Sequence, residues 1–147
     1  MPVIYNLLRK MTKTRTYSEL RRLETFEERF HYLSLKGAVG EGTFGFDRWL
    51  NQHFYKSYAW KSARNGVIIR DHGCDLGVIG YEIFADLLVH HMNPLTRTDI
   101  EHGEDWIIDP NYLITTSLQT HNAIHFGDES RLPRGPVTRQ RGDTTLW

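Results

Sequence analysis

An α+β chain is predicted: helices first, then a strand–loop–strand–helix unit, then a basic tail. Three observations carry this. "TFEERFHYLSLKG" and "SYAWKSARNGVIIRD" combine helix caps with apolar residues at helical spacing. "YEIFADLLVHHM" holds an apolar run that reads as a strand, and "YLITT" is a short second one. "SLQTHNAIHFG" is bounded by a capping serine and a terminating glycine, which defines one more helix.

Taken in order, residues 1–16 read as a loosely attached arm and residues 17–72 as a helical region packing on the core. Thr25 is the predicted N-cap of the first helix, with Glu28 completing a capping box and Gly37 following its end. Phe26, Phe30, Leu33 and Leu35 give this helix its apolar face. "GAVGEGTFG" has four glycines in nine residues and reads as a connector. "FDRWLNQHFYKS" and the stretch after it form one or two helices, with Ser57 as the cap between them. Trp49, Phe54, Trp60, Ala63 and Val67 read as core. "DHGCDLG" is a turn in which Gly73 and Gly77 punctuate the chain. Residues 73–129 form the core unit, with an acidic loop at 96–110 between its strands. From Ser130 onward, Pro133 and Pro136 predict an extended tail, 130–147.

A length of 147 residues suits one domain. Apolar content of 39% and charged content of 24% are ordinary for a globular chain. No run of about 18 apolar residues is present, so no membrane span is expected. The start, "MPVIYNLLRKMTKTRTY", places its charge after its apolar piece, the wrong order for a secretory signal. A single cysteine, Cys74, excludes an internal disulfide and a four-cysteine zinc site, and a reducing, cytoplasmic setting follows as the simplest expectation. Net charge is zero, yet residues 1–22 hold six basic residues against Glu19, and residues 131–141 hold four arginines and no acid. A polyanion partner is therefore compatible with the neutral total, as is the plainer reading of two solvated basic ends.

Four of the eight histidines fall in two short windows, "LLVHHMNPL" and "THNAIHFGD". His121 and His125 stand at i and i+4, so both rings leave one face of a helix. That spacing suits capture of a divalent metal, though histidines so spaced are often merely solvated. His90 and His91 close a strand, and Pro94 just after them turns the chain. Half-buried strand histidines are the plainer reading of that pair. Together with the helical pair, a site is the better one. Three neutral imidazoles on a metal leave positions open for oxygen ligands, and a fourth histidine is free to act as a base near neutral pH.

"VHHMNPL … DPNYLITTSLQTHNAIHFGD" resembles the HNH nucleases, in the form carried by many tailed bacteriophages. "VIIRDHGCDLGVIGYEI" and the final "GDTTLW" are similar to the same group, so the likeness covers about residues 17–147. The resemblance implies a ββα-metal fold, in which a histidine-bearing strand, a loop, a second strand and a helix surround one divalent ion (Mg, Mn, Ni or Zn). It implies that His90, His121 and His125 hold the metal and that His91 is the general base. Asn111 is the candidate for the family's central asparagine, although the usual spacing falls on Tyr112. Many members add a cysteine-bound structural zinc, which a chain with Cys74 alone lacks.

The activity so implied is hydrolysis of DNA phosphodiester bonds, by nicking or double-strand cleavage. The implied setting is the cytoplasm of a bacterial host, with a role in homing or beside the terminase in genome packaging. Arg131, Arg134, Arg139 and Arg141 are expected to hold backbone phosphates, with Lys61, Arg64 and Arg70 contributing from the preceding helix. Nothing in the chain resembles a base-reading module. A monomer or a homodimer is expected, and no membrane. Two alternatives stand beside this reading: a DNA-binding or packaging accessory protein with a degenerate nuclease site, and a structural metal-binding domain.

Overall fold

The structure, a computed structural model, describes residues 14–35 and 48–133. The glycine-rich connector and Arg134, Arg139 and Arg141 lie outside the described residues, as does the side chain of Trp49. The described chain is mixed helix and sheet. Among its residues, no helix is long and apolar enough to cross a membrane.

Two short helices open it, α1 (Tyr17–Leu20) and α2 (Phe26–Leu33). Thr25 caps α2, and the reciprocal bonds between Thr25 and Glu28 form the expected capping box. Helix α2 ends at Leu33, ahead of Gly37, and the extended Ser34 directs Leu35 back into the core. Helices α3 (Arg48–Lys56) and α4 (Tyr58–Arg70) follow, divided at Ser57, whose side chain accepts from the Trp60 amide.

After α4 the chain turns through His72 and Gly73, both at positive φ, into a small pair, β1 (Cys74–Asp75) with β2 (Tyr81–Glu82). The centre of the molecule is a second antiparallel pair, β3 (Leu87–His91) with β4 (Leu113–Ser117), in which His90 stands opposite Ile114 and His91 opposite Leu113. Helix α6 (Leu118–Phe126) leaves β4 without a loop, because Ser117 is both the last strand residue and the N-cap. Gly127, at φ 65°, ends α6 in the left-handed conformation that glycine adopts without a Cβ penalty.

Alternation along β3 and β4 divides the core in two. On one face Met92 and Ile114 pack with Ile124 of α6, Leu20 of α1, and Leu33 and Leu35. On the other, Leu113 and Val89 pack with Trp60, Val67 and Ala63 of α4 and Phe54 of α3. The sheet is thus covered on both faces, and all five residues of β4 are buried.

Several expectations are corrected. The segment between β3 and β4 is not an open acidic loop. It folds into α5 (Arg97–Glu101) and two 3₁₀ turns, Asp105–Ile108 and Pro110–Tyr112. Asp99 is buried there, completing a capping box with Thr96 and accepting from the Trp106 indole at 3.3 Å. Its charge serves the local backbone. The stretch from Ser130 is not extended throughout, since Glu129–Arg131 make a 3₁₀ turn and Pro133 is buried. At the other end, residues 14–16 are fastened to the core. Arg15 exchanges two backbone bonds with the Asn93 side chain, at 2.8 and 3.0 Å, and its guanidinium reaches the carbonyls of Tyr32 and Ser34.

Arg70, expected to face DNA, instead joins three parts of the fold. Its Nε lies 2.7 Å from Asp71, and its two terminal nitrogens donate to the carbonyls of Pro110 and Leu113, both at 2.7 Å. The guanidinium also stacks 3.7 Å over the Tyr17 ring. With these bonds in place, Arg70 is a structural clamp. Its partner Asp71 is fully enclosed and also accepts from the Thr115 amide of β4. Replacing Arg70 by alanine strands that carboxylate. Arg70→Ala should cost about 2–4 kcal/mol in urea unfolding, less than a fully buried pair because Arg70 keeps some solvent. Arg64→Ala, on the same helix, should cost under about 0.5 kcal/mol. Equal effects from both would contradict the clamp.

Candidate metal centre

The site grows from two local facts. Strand β3 points successive side chains to opposite faces, so His90 and His91 part company. Helix α6 presents His121 and His125 from one face, a turn apart. His90 falls on the sheet face covered by α6, and its ring meets both helical rings edge-on at 5.2 Å between centroids. His121 and His125 are themselves 4.2 Å apart, with their Nε2 atoms 3.0 Å from each other. One nitrogen from each of the three lies within 4.8 Å of the others.

These donors fit a metal ion. Two ligands held 2.0–2.1 Å from one ion lie about 3.3 Å apart in a tetrahedron and about 2.9 Å apart at adjacent octahedral corners. The 3.0 Å between the helical Nε2 atoms falls between these values. The His90 nitrogen lies within 4.8 Å of both, so it completes the set by closing toward them. One buried, unpartnered nitrogen points the same way: Nε2 of His90 has no hydrogen-bond partner, whereas in His121 and His125 the partnerless atom is Nδ1 and not the Nε2 of the close pair. Such a buried polar atom costs about 1–3 kcal/mol when nothing answers it.

Burial also sets the charge state. It holds the His90 imidazole well below its ordinary pKa, with the neighbouring histidines adding to the effect. His121 is lowered by burial as well, and His125 falls to about 4, by burial first and by His121 second. All three rings are therefore neutral at pH 7, the form that binds a metal without first losing a proton.

His91 stands on the opposite sheet face. Its ring stacks on Trp60, 5.0 Å away and 18° from parallel, with Phe54 and Trp106 also near. Its Nε2 lies 2.8 Å from the Ile107 carbonyl. A carbonyl only accepts, so Nε2 carries the proton and Nδ1 carries the lone pair. Burial lowers this imidazole to about 4, against the opposing pulls of the Ile107 bond and Asp99. His91 thus holds a single tautomer with Nδ1 as its basic atom.

Other predicted site residues are distributed differently. Asn111 sits in the 3₁₀ turn before β4, where its side-chain oxygen accepts from the Ser18 hydroxyl at 3.2 Å. That contact fastens α1 to the turn. Arg131 follows the end of α6, stacked 4.5 Å over Phe126 and paired with Asp128 at 3.2 Å. Both members of that pair are well exposed, so the contact is weak and the guanidinium stays open to other anions. Lys61 is exposed and Arg64 half-buried on α4, whose packed face lies on the His91 side of the sheet.

Sequence reasoning missed the residues that anchor this site. Asp71 and Asp75, read as part of a turn, hold the backbone of β4 from the side. Compared with family models, with curated proteins and with solved structures, the chain matches none.

The histidine shifts have a consequence for stability. His91 and His125 titrate near 4 in the folded chain, against 6.5 for an ordinary histidine. Between those values the unfolded chain binds more protons, so stability rises with pH across that window. Stability is complete above about pH 6.5 and is lost as pH falls toward 4. Chelator-treated protein unfolded in urea at about pH 7 and about pH 4.5 should differ by about 2 kcal/mol or more. A flat profile would mean that these rings are not buried neutral.

Proposed function

We propose that this chain is a metal-dependent endonuclease with a ββα-metal core, built from β3, β4 and α6, that hydrolyses DNA phosphodiester bonds. The observation that supports this best is the convergence of His90, His121 and His125 at the strand–helix junction, with His91 beside them in sequence and held as a defined base. The element order of strand, loop, strand and helix agrees with the resemblance of "VHHMNPL … THNAIHFGD" to the HNH nucleases.

His90, His121 and His125 would hold one divalent ion, which when bound supplies charge stabilisation for the phosphorane and the departing 3′ oxygen. Mg, Mn, Ni and Zn are the candidates, and the all-imidazole ligand set favours Ni or Zn over the harder Mg. As the base, His91 would take a proton at Nδ1 from a water standing on its own side of the strand end, across β3 from the three ligands, while its Nε2–H bond to Ile107 keeps the ring oriented. A base near 4 is deprotonated at neutral pH and so is always ready, at the expense of driving force. Arg131, fixed just beyond His125, binds a backbone phosphate near the cut. Arg134, Arg139 and Arg141 extend that basic run along the sequence, and Lys61 and Arg64 are the remaining phosphate candidates. The partner is DNA, with homing or bacteriophage genome packaging beside the terminase as the setting.

Loss of each histidine should leave a different signature. His91→Ala should slow nicking of supercoiled plasmid by about 10²-fold or more while metal affinity stays near wild type. His125→Ala should weaken metal binding by about tenfold or more, and its nicking should partly recover at high metal. Calorimetric metal titration beside the nicking assay separates the two. Wild-type cutting by His91→Ala would assign the base elsewhere. Wild-type protein that binds DNA yet cuts nothing with any of these metals would favour the accessory-protein reading.

A further inference from the structure

Upstream of the site, "DHGCDLG" runs beside β4 and substitutes for a third strand. Leu76 donates its amide to the Thr115 carbonyl at 3.0 Å, while the Asp71 carboxylate accepts from the Thr115 amide at 2.9 Å. Two residues on, the Asp75 carboxylate accepts from the Ser117 amide at 3.2 Å and from the Ser117 hydroxyl at 2.9 Å. It also accepts from the Thr120 hydroxyl, and its other oxygen accepts from the Gly77 amide at 2.8 Å. Asp75 is 1% exposed, so this four-donor set is its whole environment. At Gly77 a Cβ would run into the Thr120 methyl well inside van der Waals contact, so the turn is closed directly onto α6.

The positions of these donors matter. Ser117 is the N-cap of α6, and Thr120 is the residue before His121. A helix is free to roll about its axis and to slide along it. A rigid roll turns every side chain of the helix by the same angle, so a few degrees at the first turn displace both imidazoles together. Apolar packing of Ala123 and Ile124 restrains this roll without directionality. Hydrogen bonds to one buried carboxylate restrain it directionally.

We propose that Asp75 is a positioning residue for the metal centre: it sets the phase of α6 against β3 and so brings His121 and His125 onto the nitrogen of His90. The inference rests on the metal-site reading above. Asp75 touches no ligand. It acts through Ser117 and Thr120, and Gly77 is the residue whose lack of a side chain lets it reach them.

The test is zinc affinity of the full chain by calorimetry, with the cobalt-loaded visible spectrum as a readout of ligand geometry. Asp75→Asn keeps the shape but turns one acceptor into a donor facing donors, and Thr120→Val removes the helix-side hydroxyl with its bonds to Asp75 and to the Ser117 hydroxyl. Val67→Ala, in the core of the opposite face, is the control for general loosening. Asp75→Asn and Thr120→Val should each bind zinc about tenfold more weakly, or worse, and alter the cobalt spectrum. Val67→Ala should lower the melting temperature and keep wild-type affinity. Folded variants with wild-type affinity, or a Val67→Ala loss as large as theirs, would overturn the inference. Should Asp75→Asn fail to fold, Thr120→Val decides alone. Wild-type protein that binds no zinc or cobalt would instead remove the metal-site reading, and this inference with it.

Discussion

The pairing of β3 with β4 is the constraint on which the rest depends. Its register sets His90 against Ile114 and His91 against Leu113. Because side chains alternate, a slip of one residue would exchange the two histidines between faces. His90 would then meet the Trp60 cluster, and His91 would face α6. Burial on both faces of the sheet makes such a slip expensive, since Met92 and Val89 would have to change environments as well. Ser117 extends the same constraint into the helix. With no loop between β4 and α6, the direction of the helix is decided by where the strand stops.

Polar groups then refine what apolar burial roughly places. Asp71, Asp75 and Asp99 are all buried, and each spends its carboxylate on named donors in the surrounding backbone or side chains. For Asp75, burial pushes the carboxyl above its ordinary range, while its hydrogen bonds pull the other way. The histidine cluster differs: one nitrogen of each ring is buried without such a partner, and the rings are held neutral. The fold satisfies these carboxylates and leaves Nε2 of His90 unpartnered where an ion would answer it, while the Thr115 and Thr116 hydroxyls and Nδ1 of His121 and His125 are the other buried side-chain atoms without a partner among the described residues.

Much of this was legible in local sequence. Thr25 with Glu28, Ser57, Ser117 and Gly127 act where their chemistry predicts, since capping depends on residues three or four apart. The i, i+4 histidines and the strand-end pair were legible for the same reason. Thr96 with Asp99 carried the same capping signature and marks α5 inside what reads as an acidic loop. The remainder depends on partners far along the chain. Arg70 reaches Leu113, Asp75 reaches Thr120 and Asn111 meets Ser18, across 43, 45 and 93 positions. A buried carboxylate accepting from a strand 42 residues away leaves no mark on its neighbours in sequence, so "DHGCDLG" reads only as a turn. Arg70 reads as a free cation because its charge is visible and its acceptors, backbone carbonyls, are not.

The central claim is that three histidines from one strand and one helix bind one ion. X-ray absorption of the zinc-loaded chain measures this most directly. The account predicts one zinc per chain, with three imidazole nitrogens at about 2.0–2.1 Å and oxygen completing the shell. Substoichiometric binding, or a shell with fewer than three imidazoles, would contradict it.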